Sequence, residues 1–538
     1  MKVWSGHVDR LTDVVVVGSG AGALTAALAL RDLGLDVVVL EKADYIGGTS
    51  AVSGGVLWVP GNRFIDEDSL DEALTYAQAF GGAKNHSSVL EAYVRNGATM
   101  AAFVEETTPL TFQPLTNFPD YRTDLPGSRK GGRAIEPAVM QSPLTGEAEA
   151  CLRPDTRPPF TMQEYEDWGS AVRFDWELLE RRSAQGVVAR GRALISALVS
   201  ACIRDGVAIA TGVEVRELLA DSDGRVKGVA DVSDGVTREF PAHRAVILAC
   251  GGFEWNQEMV KEFLPGPIDA SCSPPGNTGD GIRMGAGFGA RLGNMTQATW
   301  GPMAIIPGLE VDGKQRGTLL RFERTAPGSI MVNTEGRRFV NEAANYNDMV
   351  KAFHHIDPNT NAYRNLPAYL VFDSRHLRTY GFLTHRYGEK TPDWLIEGQS
   401  IGDIAQALSI DEDAFEATVA RFNEMATRHH DEDFLRGDSD YDLYWGDKLA
   451  EHPCLGPVEE APFYAIEVVS GTVGTKGGLV TDNRSRVVSW TDETIDGLYA
   501  IGNTAAAPIG AGYPGAGSTL GPAMTMGYLA AHDVARAE

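Results

Sequence analysis

No two of the five cysteines (Cys151, Cys202, Cys250, Cys272 and Cys454) stand at CxxC spacing. Zinc, iron–sulfur and c-type haem sites are therefore left without a ligand pattern. An odd, scattered set fits a reducing compartment. Long hydrophobic runs are missing too. No stretch approaches the ~20 apolar residues that span a bilayer, and MKVWSGHVDRLTD carries no apolar signal core. The expectation is a cytoplasmic protein without a transmembrane segment, with peripheral membrane association left open. Basic charge is short: 47 Lys and Arg stand against 73 Asp and Glu, a net of −26. Such a field repels phosphodiester backbones and argues against nucleic acid as a partner. An anionic substrate would need a local basic pocket that the bulk charge does not supply.

What is present is a long chain with ample apolar content. Its 538 residues, 43% hydrophobic, exceed the ~250–300 at which a single core stops growing, so more than one domain is expected. The β-branched run TDVVVV (12–17) reads as a buried parallel strand, ALTAALALRDLG as a helix closed by Gly34, and DVVVLEK (36–42) as a second strand. Together they form one right-handed βαβ unit. Residues 115–185 read as irregular segments and short helices. RALISALVSACIRDG (192–206) is an amphipathic helix, and 207–231 are successive strands with a DG turn. RAVILACGG (244–252) is another buried strand. Residues 298–471 differ in texture and are read as an inserted α+β substrate domain. The expected fold is α/β: a Rossmann-like domain assembled from 1–297 and 472–538, with the insertion between them.

Between the first strand and helix lies GSGAGA, residues 18–23. Gly18 permits the tight turn, Gly20 lets backbone amides approach a pyrophosphate, and Ala23 lets helix and strand pack closely. The amides of Ser19, Ala21 and Gly22 belong to the same cradle, where the helix N-terminus favours phosphate. Glu41 lies about twenty residues on, placed for the ribose hydroxyls, with Lys42 beside it. Three features favour FAD over NAD. IGGTSAVSGG (46–55) offers a second glycine- and hydroxyl-rich loop through Gly48, Thr49, Ser50, Ser53, Gly54 and Gly55. Cys250, Gly251 and Gly252 end a later strand in ILACGGF, with Val215 as a further contact. Gly502 and Asn503 lie in GLYAIGNTAA near the C-terminus. The segment Gly517, Ser518, Thr519 and Leu520 then leads into a last helix, begun by Pro522, whose amides would face the flavin's pyrimidine edge.

With these motifs in place the chain resembles the succinate dehydrogenase/fumarate reductase flavoproteins, and within them the 3-ketosteroid Δ1-dehydrogenases. FPDYRTDLPG (118–127), GRRFVNEAANY (336–346), GTKGGLVTD (474–482) and GYPGAGSTLGPAMTMGYLAA (512–531) carry the resemblance, which spans essentially the whole chain. It implies that Tyr513 and the Gly517 amide hold the substrate's 3-keto oxygen. It implies also that Tyr346 removes a proton from carbon 2, that Tyr121 supports its ionised form, and that hydride leaves carbon 1 for flavin N5. A steroid substrate and an external electron acceptor (quinone, oxygen or an unidentified carrier) follow from the same likeness. A Δ4-(5α)-dehydrogenase shares the YPGAG-type ending. A fumarate reductase-like enzyme would need a histidine before the TxGG loop, where VVSGTVGTKGG (468–478) has none. Arg337 and Arg338 read as salt-bridging residues, and His354–His355 and His429–His430 as solvated or core side chains. The segments 298–306 and 352–354 are expected to contribute to an apolar cavity.

Overall fold

The computed structural model describes residues 1–538 except 7, 9–10, 82–86, 170–172, 234–235 and 538. Residues 170–172 of the irregular stretch and parts of the N-terminal segment thus lie outside the described residues. The valines of Thr12–Val17 are buried on both faces, as a strand inside a parallel sheet must be. In register, Val14–Val17 pair in parallel with Val37–Leu40 on one side and Ala245–Leu248 on the other. Val246–Leu248 then pair with Leu498–Ala500, so a strand from the chain's C-terminal part closes the sheet. Ala208–Thr211 extends it beyond Val37–Glu41.

The helix Ala21–Asp32 covers one face of this sheet and buries ten consecutive residues from Ala21 to Leu30. The last helix, Leu520–Arg536, crosses it at glycines. A Cβ on Gly22 would stand 2.6 Å from the Ala523 carbonyl oxygen, and one on Gly527 would stand 2.6 Å from the Gly22 oxygen. Helix–helix contact at this separation tolerates no side chain. Close helix–helix packing is therefore imposed at Gly22 and Gly527.

A second sheet of seven strands, largely antiparallel, is built around Phe463–Thr475, which pairs with Ala298–Val311 and Ala368–Asp373. Lys314–Leu319 flanks it at one edge and Ser329–Val332 at the other. The central strand runs four residues past the expected boundary at 471, and Ala270–Ser271 also pairs with it. The helices Ile401–Leu408 and Glu412–Thr427 pack on this sheet through Ile404, Phe415, Val419 and Phe422. The described part of the 115–185 stretch carries short helices at Met162–Trp168 and Trp176–Ala184. No helix among the described residues is long and apolar enough to cross a membrane.

Candidate active site

A cavity runs from the Gly18–Ala23 turn to the face where the two sheets meet. Gly18 has φ +106°, and a Cβ there would be 2.3 Å from the Ala249 oxygen, so only glycine makes this turn. A Cβ on Gly20 would meet only Ser50 Oγ, at 3.4 Å, and would otherwise fill the cradle over the helix N-terminus. Ser50 Oγ accepts from the Ala21 amide at 3.1 Å. Glu41 is 9% exposed and lines the cavity. One of its oxygens accepts from the Ser19 amide and hydroxyl (3.1 and 2.6 Å), the other from the Ala43 amide (2.9 Å). That carboxylate is held in place with lone pairs left for ribose hydroxyls. Lys42 lines the same stretch but is tied to Asp280 at 2.5 Å.

Gly48, Thr49, Ser50, Ser53, Gly54 and Gly55 form the next wall, with Val215, Cys250, Gly251, Gly502 and Asn503 opposite. Gly517, Thr519 and Leu520 complete it at the start of the last helix. Two expected contacts lie off the cavity. Gly252 faces Thr475 and Glu254, where a Cβ would meet Thr475 Oγ1 at 2.2 Å. Ser518 turns its hydroxyl inward to the Gly515 oxygen, 2.7 Å away. The elongated, amide-lined cradle with an acid near one end and a helix N-terminus near the other fits FAD.

At the far end three tyrosines converge. The Tyr121 hydroxyl donates to the Tyr346 hydroxyl oxygen at 3.2 Å. Ring centroids are 5.5 Å apart for Tyr121–Tyr513 and 5.8 Å for Tyr346–Tyr513. All three are buried, at 4%, 8% and 6% exposure for Tyr121, Tyr346 and Tyr513. The Tyr121 amide donates to the Pro514 oxygen at 2.8 Å, which fastens one tyrosine loop to another. Gly517, at φ +91°, would place a Cβ 2.4 Å from Leu57 Cα. The loop can pass Leu57 only as glycine.

Burial pushes the pKa of Tyr346 well above the usual tyrosine value, and neighbouring Tyr513 and Tyr441 add to this. The Tyr121 hydrogen bond and the positive field of Arg321 oppose it. Tyr121 is likewise raised, by burial first. Tyr513 is raised by burial while Thr519, Tyr346 and the Gly517 amide, by hydrogen bonding, pull the other way. The Gly517 N–H thus faces the Tyr513 hydroxyl oxygen.

Several residues at or behind the cavity wall escaped sequence reasoning. Lys476, 5% exposed, donates to the Gly512 oxygen (2.7 Å), the Ala511 oxygen (3.0 Å) and Asn347 Oδ1 (3.2 Å). It links the chain beside Tyr513 to the residue after Tyr346, and burial draws its pKa down to about 7. GTKGG marked the motif, though nothing in it told of this role. Phe118, Met162, Leu319 and Trp445 supply apolar walls, and Arg153, Arg157, Arg316 and Arg321 also face the cavity. Of 298–306 only Thr299 reaches it, and 352–354 do not. Strand alternation explains this: Ala298, Trp300, Ala304 and Ile306 point into the inserted region's own core.

Arg338 is bound to Glu342 and Asp431 (2.7 and 2.8 Å) in a buried network with Arg436. This anchors the loop that delivers Tyr346, while Arg337 is exposed. His354 is packed against Trp300 and shares a 2.8 Å hydrogen bond with the Ser470 hydroxyl.

Residues 13–520 match the FAD binding domain family. A 4-oxocyclohexanecarboxylate 2-dehydrogenase of Sinomonas cyclohexanicum is 47% identical over 97% of this chain and 92% of its own. A 3-oxosteroid 1-dehydrogenase of Mycolicibacterium smegmatis is 36% identical over 97% of each chain. The crystal structure of 3-ketosteroid Δ1-dehydrogenase from Sterolibacterium denitrificans, in complex with 1,4-androstadiene-3,17-dione, superposes with TM-score 0.92 at 35% identity. That match covers 98% of this chain and 100% of the other. The cofactor is FAD, and the chain belongs to the FAD-dependent dehydrogenase family that contains the 3-ketosteroid Δ1-dehydrogenases.

Proposed function

We propose that this protein desaturates a cyclic ketone at the carbon–carbon bond next to the carbonyl, as in 1,2-desaturation of a 3-ketosteroid. The observation that carries the reading is the 3.2 Å bond between the Tyr121 and Tyr346 hydroxyls beside Tyr513 and Gly517. The Tyr513 hydroxyl and the Gly517 amide take the keto oxygen, two donors aimed at the atom on which enolate charge develops. Tyr346 removes the proton from the adjacent carbon as general base. Tyr121 donates to the Tyr346 phenolate that acts as this base and spreads its charge before the proton is taken. FAD, when bound, accepts the hydride that leaves the next carbon. Phe118, Met162, Leu319 and Trp445 keep water from the enolate and from the base.

Reoxidation calls for an external acceptor, a quinone, oxygen or an unidentified carrier, and a cytoplasmic setting suits five unpaired cysteines. The substrate class divides between the two kinds of relative. The steroid enzymes act on a fused-ring ketone, the 47% identical one on a single-ring keto acid. The test is anaerobic flavin bleaching by 3-keto-4-ene steroids, 4-oxocyclohexanecarboxylate, fumarate and aspartate. A cyclic ketone should bleach the flavin and yield the conjugated enone. Bleaching by neither ketone sinks the reading, and reoxidation of reduced enzyme by fumarate would favour a fumarate reductase-like activity instead.

A further inference from the structure

The protein is strongly acidic, yet four arginines line its cavity. Arg157, Arg316 and Arg321 line it together with Arg153. Two of the four are spoken for: Arg153 pairs with Asp312 at 2.5 Å and Arg157 with Asp155 at 2.7 Å. Arg316 and Arg321 form no ion pair or side-chain hydrogen bond among the described residues, and Arg316 Nε is buried without a partner. Glu323 accepts from the Arg321 main-chain amide at 3.0 Å, not from its guanidinium.

Arg321 sits where it would face a substrate. Its guanidinium lies 5.8 Å from the centroid of the Trp445 ring, and Trp445 itself lines the cavity. Its charge is felt by Tyr346 and Tyr513. Arg316 approaches from the strand Lys314–Leu319, whose Thr318 and Leu319 share the same wall. A guanidinium without an anion, in a pocket walled by Phe118, Met162 and Trp445, is poorly solvated. A hydrocarbon skeleton offers it nothing, whereas a carboxylate meets its planar fork with two charge-assisted hydrogen bonds.

Resting on the ketone-desaturation reading above, we propose that the substrate is a cyclic ketone bearing a carboxylate. Arg321, with Arg316 beside it, binds that carboxylate while Tyr513 and Gly517 hold the keto oxygen. The far end of the substrate is thus an anion, in contrast to the uncharged dienedione bound in the similar crystal structure. The local basic pocket that the overall charge withholds is assembled by packing two strand and loop arginines against aromatic walls.

The test uses the FAD-loaded enzyme with 4-oxocyclohexanecarboxylate, its methyl ester and 4-androstene-3,17-dione, following initial rates with an artificial electron acceptor. The acid should exceed its ester in kcat/KM by about 100-fold, the size of effect seen when one partner of a buried charge pair is lost. R321Q should bring the acid-to-ester ratio close to one, chiefly through KM of the acid, and R316Q should lower it in part. The wild-type comparison needs no variant, so a folding defect does not obscure it. An ester or the steroid turned over as well as the acid by wild-type enzyme overturns the carboxylate assignment and leaves ketone desaturation standing. An acid-to-ester ratio untouched by both substitutions removes the arginines from substrate binding. Failure of all three ketones to bleach the flavin defeats the underlying reading, and this proposal with it.

Discussion

The Tyr121 hydroxyl donates to the Tyr346 hydroxyl oxygen across 3.2 Å, with both rings buried. The direction matters, because a donor stabilises the ionised form of its acceptor and burial opposes ionisation. Burial wins: the Tyr346 pKa stands well above 10 despite the bond and the field of Arg321. The proposed base is therefore neutral at rest, and its ionised fraction grows as pH rises toward that pKa. With proton removal rate-limiting, kcat/KM should climb from pH 6 to 10 without a plateau. Tyr121→Phe removes the stabilising donor, so activity should fall about 10- to 100-fold and the alkaline limb should move to higher pH. A profile flat across neutrality, or one unmoved by Tyr121→Phe, counts against this arrangement.

Lys476 gives a second pH signature, in stability. Its pKa falls from 10.5 to about 7 because burial penalises the ammonium. Between those two values the unfolded chain binds the proton and the folded one does not, so this group makes stability rise with pH from about 7 to 10. In Lys476→Met that contribution is absent. Thermal unfolding of both proteins from pH 6 to 10 should show the wild type gaining on the variant as pH rises. A constant Tm difference would refute it.

Gly517 carries both a backbone and a packing constraint. At φ +91°, with a Cβ 2.4 Å from Leu57 Cα, Gly517→Ala should cost about 2–4 kcal/mol and misplace the amide proposed to hold the keto oxygen. The holoprotein Tm should drop by several degrees, with turnover lost. An unchanged Tm with full activity would show that the loop accommodates a side chain.

Glu41 is already fixed by Ser19 and the Ala43 amide, so in the ribose-binding role proposed for it the carboxylate needs no reorganisation. Glu41→Ala should weaken FAD binding about tenfold or more, read by titrating apoprotein with FAD. An unaltered Kd would place the ribose elsewhere.

How much of this was legible depended on how local each signal was. The Gly18–Ala23 turn and Glu41 are encoded by spacing along one βαβ unit, so strand, turn and acid could be read without any fold. The tyrosines are not local: 225 positions separate Tyr121 from Tyr346. Nothing in composition marks them among 16 tyrosines, and only family resemblance picked them out. Arg316 and Arg321 stayed invisible because their exposure to the cavity depends on how one edge strand and its following loop pack. The expected cavity contribution of 298–306 shrank to Thr299 by the same parity of strand faces. The boundary at 471 fell inside the strand Phe463–Thr475, whose composition does not change where the two regions meet.

Tyr346→Phe puts the question most directly. The variant should fold and bind FAD with wild-type absorbance, since phenylalanine keeps the ring in its buried place. Mixed anaerobically with a ketone that bleaches the wild-type flavin, it should be reduced about 1000-fold more slowly or worse. Flavin reduction at the wild-type rate would remove Tyr346 as the base and with it the proposed chemistry of the three tyrosines.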